Sequence, residues 1–240
     1  MRHSGRQNSE LREIKIETDF IENADSSVLI SFGKTKVICT ATIEEGVPRF
    51  LKDSGSGWVT AEYSMLPACA NERIRREVSK GKPSGRTMEI QRLIGRSLRA
   101  AIDLEALGER SILIDCDVIQ ADGGTRTTSI TGGMIVLYNA VQLLMAAGKL
   151  TQNPIRNFVS AISIGLVNEQ VMLDLDYVED SSAEVDLNLV MTDDGRFIEI
   201  QGTAEKTPFS SDHLNSFLTI GTQGIQSIID TVKQSLMVSA

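Results

Sequence analysis

Gly123-Gly124-Thr125-Arg126, within the run 121–133, is a set of residues suited to holding an anion. A glycine pair turns the backbone tightly and leaves N–H groups uncovered. The run follows an apolar stretch, 112–119, that reads as a buried strand, and precedes an apolar stretch ending at Ala147 that reads as a helix. The positive end of that helix favours negative charge at the turn. Thr125 adds a hydroxyl donor, and Arg126 adds a planar cation matched to phosphate oxygens. The run has neither the lysine of a P-loop nor the G-x-G-x-x-G of a dinucleotide site. The same residues also read as a plain glycine turn with a capping threonine and a surface arginine.

A second group carries the opposite charge. Asp174, Asp176, Glu179, Asp180, Glu184 and Asp186 fall within thirteen residues. On an unbroken strand the even-numbered members would share a face, although Ser181-Ser182-Ala183 predicts a turn. Clustered carboxylates repel and need a proton, an arginine or a cation. Mg²⁺ is the simplest hard partner for oxygen ligands. The alternative is an acidic hairpin edge that discourages sheet aggregation. An anion cradle and a carboxylate cluster are together the parts of a phosphoryl-transfer site.

Composition points to the substrate. The net charge is −8, yet Arg73, Arg75, Arg76, Lys80, Lys82, Arg86, Arg92, Arg96 and Arg99 are opposed between 73 and 99 only by Glu77 and Glu89. A basic stripe on an acidic chain suits a polyanion. Arg92, Arg96 and Arg99 share one helix face, which serves either RNA or a subunit contact. With three tyrosines and one tryptophan, no stacking platform for single strands stands out. Two histidines, His3 and His213, are too few for a histidine-rich metal site or a confident Ser-His-Asp system. No apolar run reaches the ~18 residues of a membrane span. The first six residues lead into no apolar core, so no secretory signal is expected. Cys39, Cys69 and Cys116 are far apart, and Cys39 and Cys116 read as buried thiols of a reducing compartment. The expected location is the cytoplasm, with no membrane partner.

The surrounding pattern is that of an α+β fold, with strands at 28–32, 35–43, 58–63, 112–119, 159–167, 171–175, about 185–189 and 196–202. Helices are expected at 87–107, 131–147 and 211–237, with Gly221 and Gly224 as possible breaks in the last. Residues 67–85 read as a loop with at most a short helix. Ser84-Gly85-Arg86-Thr87 and Gly124-Thr125-Arg126-Thr127 each precede a helix. The chain therefore reads as a single domain, 1–240, with a possible internal duplication into halves of about 1–120 and 121–240.

The chain resembles the ribonuclease PH family of phosphorolytic 3′-to-5′ exoribonucleases over nearly its whole length. The resemblance rests on the blocks Gly46-Val47-Pro48-Arg49-Phe50-Leu51, Gly57-Trp58-Val59-Thr60-Ala61-Glu62-Tyr63, Ser84-Gly85-Arg86-Thr87 and Ile90-Gln91-Arg92-Leu93-Ile94-Gly95-Arg96. Asp115-Cys116-Asp117-Val118 with residues 120–127, Tyr177-Val178-Glu179-Asp180-Ser181 and Ile200-Gln201-Gly202-Thr203-Ala204-Glu205 complete them. It implies a duplicated α+β domain with mixed sheets packed on long helices, assembled as a hexameric trimer of dimers. It implies a nucleotidyltransferase that trims tRNA precursors and other RNAs, rRNA among them. Inorganic phosphate is the co-substrate and nucleoside diphosphates are released, reversibly. By resemblance, Arg86, Gly124, Thr125 and Arg126 bind phosphate, and Asp180 and Asp186 are catalytic and hold Mg²⁺. The resemblance also implies that Arg73 and Arg76 contact tRNA. Ala68 stands where the family usually carries another basic residue, and Arg75 is the neighbouring cation able to substitute for it. Rival readings are a non-catalytic ring subunit, a hydrolytic metal-dependent nuclease and a small-molecule kinase.

Overall fold

The computed structural model describes residues 2–238. Five strands, β1 (Ile14–Thr18), β2 (Ser26–Phe32), β3 (Thr35–Glu45), β4 (Trp58–Met65) and β5 (Arg110–Gln120), form one sheet in the order β1-β2-β3-β5-β4. Neighbours are antiparallel except β4 and β5, which run parallel. A parallel pair needs a crossover, and α1 (Gly85–Ala101) with the short α2 (Leu104–Leu107) supplies it. The second sheet contains β6 (Val159–Val167), β7 (Gln170–Leu173), β8 (Val185–Thr192) and β9 (Phe197–Ala204), antiparallel in the order β7-β6-β8-β9. Three further helices are α3 (Thr125–Ala146), α4 (Tyr177–Ser182) and α5 (Ser211–Val238).

α3 packs against β2, β3 and β5 of the first sheet and β6 of the second. β6 is buried along its whole length, with α5 also packed on it. One apolar cluster therefore runs through both sheets, from Val28 and Ile114 to Ile162 and Phe217. α3 is by composition long and apolar enough to cross a bilayer. Its packing explains this: a helix between two sheets is apolar around most of its circumference.

Several elements differ from the sequence expectation. The helix expected at 87–107 ends at Ala101. Asp103 then caps α2, its Oδ1 accepting from the N–H of Glu105 and Ala106. α3 begins at Thr125 instead of 131, so Thr125 and Arg126 open its first turn behind N-cap Gly124. The threonine-rich start is sustained by hydroxyls that fold back on carbonyls, with Thr127 and Thr128 both donating to Gly124 O at 2.9 Å. Gly221 and Gly224 do not break α5. A Cβ on Gly221 would come within 2.5 Å of Ile164 Cδ1, so the glycine lets the helix approach β6. β1, short and at a sheet edge, was not anticipated; the N-terminal segment around it proves central to the site.

Candidate active site

The glycine turn is held from behind. Arg12 Nη1 donates to Asp122 O at 2.6 Å, and Thr35 Oγ1 donates to Gly123 O at 2.6 Å. Asp122 N–H in turn donates to Thr35 Oγ1 at 3.0 Å. The turn's carbonyls are thus engaged on the protein side. Gly124 is the left-handed N-cap of α3, and no side chain caps the helix. The first-turn N–H groups have no partner inside their own helix, and they open on a cavity of about 570 Å³ lined by Gly123, Gly124, Thr125 and Arg126.

Gly123 has no permissible replacement. Its φ is +76°, and a Cβ would lie 2.6 Å from Leu175 O and 2.7 Å from the carbonyl carbon of Asp176. Gly123→Ala is expected to cost at least about 2 kcal/mol of stability, read as a lower midpoint in thermal unfolding. An unchanged midpoint would show that the turn can relax.

Arg86, Asp180 and Asp186 line the same cavity. Arg86 is the second residue of α1, whose N-cap Ser84 accepts from Thr87 N–H. Among the described residues Arg86 has no hydrogen-bonded or ion-pair partner, which leaves it available to a ligand. Arg126 is aimed by Gln201, whose Oε1 accepts from its Nη1 at 3.1 Å, with Glu89 at 3.8 Å. Gln201 Nε2 donates to Glu89 at 2.7 Å and so closes this small network. Thr125 Oγ1 shares a buried hydrogen bond of 2.9 Å with the hydroxyl of Tyr63, whose pKa burial raises.

The acidic run divides in two, because residues 177–182 form a helix instead of continuing a strand. Asp174, Asp176 and Glu179 face the protein. Arg12 donates to both oxygens of Asp174, at 3.0 and 2.7 Å. Burial alone would lower the Arg12 pKa, but Asp174 more than offsets it and holds the guanidinium above its usual value. Arg2 donates to both oxygens of Glu179, at 2.7 and 2.5 Å. Asp176 and Glu179 form the capping box of α4. His3, Asp176 and Glu179 approach closely enough to suggest a metal centre, but these groups are already paired with Arg2, Arg6 and one another.

Asp180 and Asp186 are the members that reach the cavity. Among the described residues neither carboxylate accepts a hydrogen bond. Burial raises the Asp180 pKa, while Arg126 and Arg86 pull against it. Burial and then repulsion from Asp180 push Asp186 up to about 6. Two carboxylates without donors, destabilised as anions, fit a hard oxygen-seeking cation or an exchangeable proton.

The basic stripe also divides. Arg73, Arg75 and Arg76 are exposed. Arg75 and Arg76 line a neighbouring cavity that shares Met65, Ile74 and Arg86 with the first. Arg99 instead lies 4.4 Å over the Trp58 ring and donates to Val59 O, and Arg96 pairs with Glu199. Of that helix face, Arg92 and Arg96 are exposed. Arg2, Arg6, Arg12, Thr35 and Gln201 have supporting roles that sequence reading missed. Gln201 sits inside a block that carries the resemblance, whereas the N-terminal arginines gave no local signal.

An uncapped helix end and two arginines facing a carboxylate pair define a phosphoryl-transfer enzyme. Sequence models of the 3′ exoribonuclease family match the chain, domain 1 over residues 10–141 and domain 2 over residues 157–224. The chain is 59% identical over 237 residues to Ribonuclease PH of Bacillus subtilis (strain 168), covering 98% of this chain and 97% of that protein. Its fold is similar to that of rice (Oryza sativa) Rrp46, with a TM-score of 0.80 at 16% identity, covering 98% of this chain and 100% of that one. It is also similar to a chain of the Archaeoglobus fulgidus exosome with RNA bound to the active site, with a TM-score of 0.81 at 18% identity over 96% and 92% of the two chains. The chain belongs to the 3′ exoribonuclease family. It is by class an enzyme that removes nucleotides from RNA 3′ ends.

Proposed function

We propose that the protein shortens tRNA precursors and other RNAs from the 3′ end by phosphorolysis. The observation that carries this reading is a single cavity holding Arg86, Arg126 and the uncapped N-terminus of α3 beside Asp180 and Asp186. A hydrolase needs no second phosphate site. Here inorganic phosphate rests on the α3 N–H groups, Thr125 and the two arginines. One of its oxygens attacks the phosphorus of the terminal phosphodiester. The bond to the preceding 3′-oxygen breaks, that oxygen leaves as a 3′-hydroxyl, and a nucleoside 5′-diphosphate is released. An anhydride replaces an ester, so the reaction also runs backwards from nucleoside diphosphates.

Asp180 and Asp186 would hold Mg²⁺, which when bound would neutralise charge on the transferring phosphoryl group. Alternatively, one of the two manages a proton on the leaving 3′-oxygen, a role that Asp186 without a metal, pushed up to about 6, suits. Arg126→Ala is expected to cost about 2.7–4 kcal/mol of transition-state stabilisation, as for a lost oxyanion donor. Near-parental kcat/KM in that variant would remove Arg126 from the cradle.

Arg73, Arg75 and Arg76 contact RNA phosphates in this reading. Neutralising three phosphates of a single strand predicts a log–log salt slope of about −2 for binding. A flat dependence would contradict these contacts. The chain is also read as one unit of two halves, which its continuous core joins although the family models divide it into domain 1 (10–141) and domain 2 (157–224), in a cytoplasmic homohexamer. Exposed Phe20, Ile21 and Leu143 offer apolar surface for subunit contacts, and three free buried thiols suit a reducing compartment. Light scattering at micromolar concentration checks the assembly. The activity itself is tested with a labelled 3′-extended RNA and Mg²⁺, with and without phosphate. Nucleoside diphosphates appearing only with phosphate support phosphorolysis, whereas phosphate-independent monophosphates would overturn it.

A further inference from the structure

We infer that Tyr177 is a stacking platform for the base of the 3′-terminal nucleotide, a subsite that rests on the exoribonuclease reading above. The phase of α4 sets its direction. Asp176 and Glu179 are turned into the protein by the capping box and the Arg2 pair. Residues three apart on a helix share a face, so Tyr177 and Asp180 lie together, and both line the cavity. Asp180 reaches into the site, while Tyr177 is 54% exposed at its edge. Among the described residues the Tyr177 ring has no aromatic or cationic neighbour and its hydroxyl no hydrogen bond. Its exposure therefore has no evident purpose in stability.

The platform is stiff. Arg2 is 4% exposed and ties Glu179 to the carbonyls of Leu173 and Asp174 at 2.8 and 3.0 Å. A ring on so short a helix is thereby held in place before substrate arrives, which lowers the ordering cost of binding. The chemistry of the substrate points to the same position. The terminal base is joined to the scissile phosphodiester through a single ribose, so it must lie beside the carboxylates that serve that phosphodiester. An enzyme that removes successive nucleotides meets every base in turn. Stacking accepts all of them, because each has a π face. Met65 and Ile74 supply apolar surface on other elements of the same cavity.

The test compares two RNAs identical except at the last residue, one with an ordinary 3′-terminal nucleotide and one with an abasic ribose there. Tyr177→Ala is expected to raise KM on the ordinary RNA by about 10- to 100-fold. In a single turnover it should remove the abasic terminal residue as the parent protein does. Tyr177→Phe, which keeps the π face, should recover most of the loss. Equal losses on both RNAs, or no loss on the ordinary RNA, would overturn the subsite. Failure of the parent protein to release nucleoside diphosphate from ordinary RNA would instead overturn the exoribonuclease reading on which it rests.

Discussion

Asp186→Asn is expected to lower phosphorolysis by at least about 100-fold and, at the same time, to make the protein harder to unfold at pH 8. The two effects have one cause. Burial and the nearby Asp180 push the Asp186 carboxyl up to about 6 in the folded protein, from an ordinary 3.8. Below about pH 4 the group is protonated in both folded and unfolded chains and costs nothing. As pH rises toward and past 6 the unfolded chain ionises freely, while the folded protein must accommodate a charge it disfavours. The stability held at low pH is therefore lost as pH rises, by up to about 3 kcal/mol for a shift of that size. Asparagine keeps the shape and removes the charge. In buffer without divalent cations, the variant should melt several degrees above the parent at pH 8, with the gap closing toward pH 4. A lower melting temperature at pH 8, or a gap independent of pH, would show that Asp186 is not under electrostatic strain.

Asp174→Ala is expected to lower folding stability by about 3–5 kcal/mol, because removing one partner leaves the buried Arg12 charge uncompensated. Arg12 is 8% and Asp174 1% exposed, so water cannot replace the lost contact. The same arginine braces Asp122 O behind the glycine turn, so, if that turn seats phosphate as proposed, phosphate binding should weaken as well. Urea unfolding and phosphate KM read the two effects. The double replacement Arg12→Met with Asp174→Leu should regain only part of the stability: an apolar pair avoids the desolvation of two ions, but the Arg12 N–H loses its Asp174 acceptor and residue 174 has a φ of +53°. It should not regain phosphate affinity, because the brace is still missing. A mild loss for Asp174→Ala, below about 1 kcal/mol, would mean that the pair is not a structural latch.

These two aspartates show what the sequence could and could not reveal. The six acids between 174 and 186 were visible as a cluster, but alternation along a strand was the wrong frame. Asp176 and Glu179 complete a capping box, and one helical step of about 100° beyond Glu179 turns Asp180 to the cavity. The partners that neutralise the inward-facing acids, Arg2, Arg6 and Arg12, lie more than 160 residues away in sequence. No local pattern connects them. Gly124, Thr125 and Arg126 were legible as a helix start beside a cavity because that is a local device, carried by consecutive residues. The helix start was misplaced because threonines at 127, 128 and 131 argue against a helix by propensity, whereas their hydroxyls bond back to carbonyls within it. Arg96 and Arg99 looked like a binding face by spacing alone. A tryptophan on β4 and a glutamate on β9, brought near by the fold, engage them within the chain.

In the proposed reaction, inorganic phosphate seated on the first turn of α3 is the attacking group. Radiolabelled inorganic phosphate with unlabelled RNA follows that phosphate into the product. The label is expected in the β-phosphate of nucleoside diphosphates, accumulating in step with RNA shortening. RNA that shortens to nucleoside monophosphates while the label stays in free phosphate would contradict it.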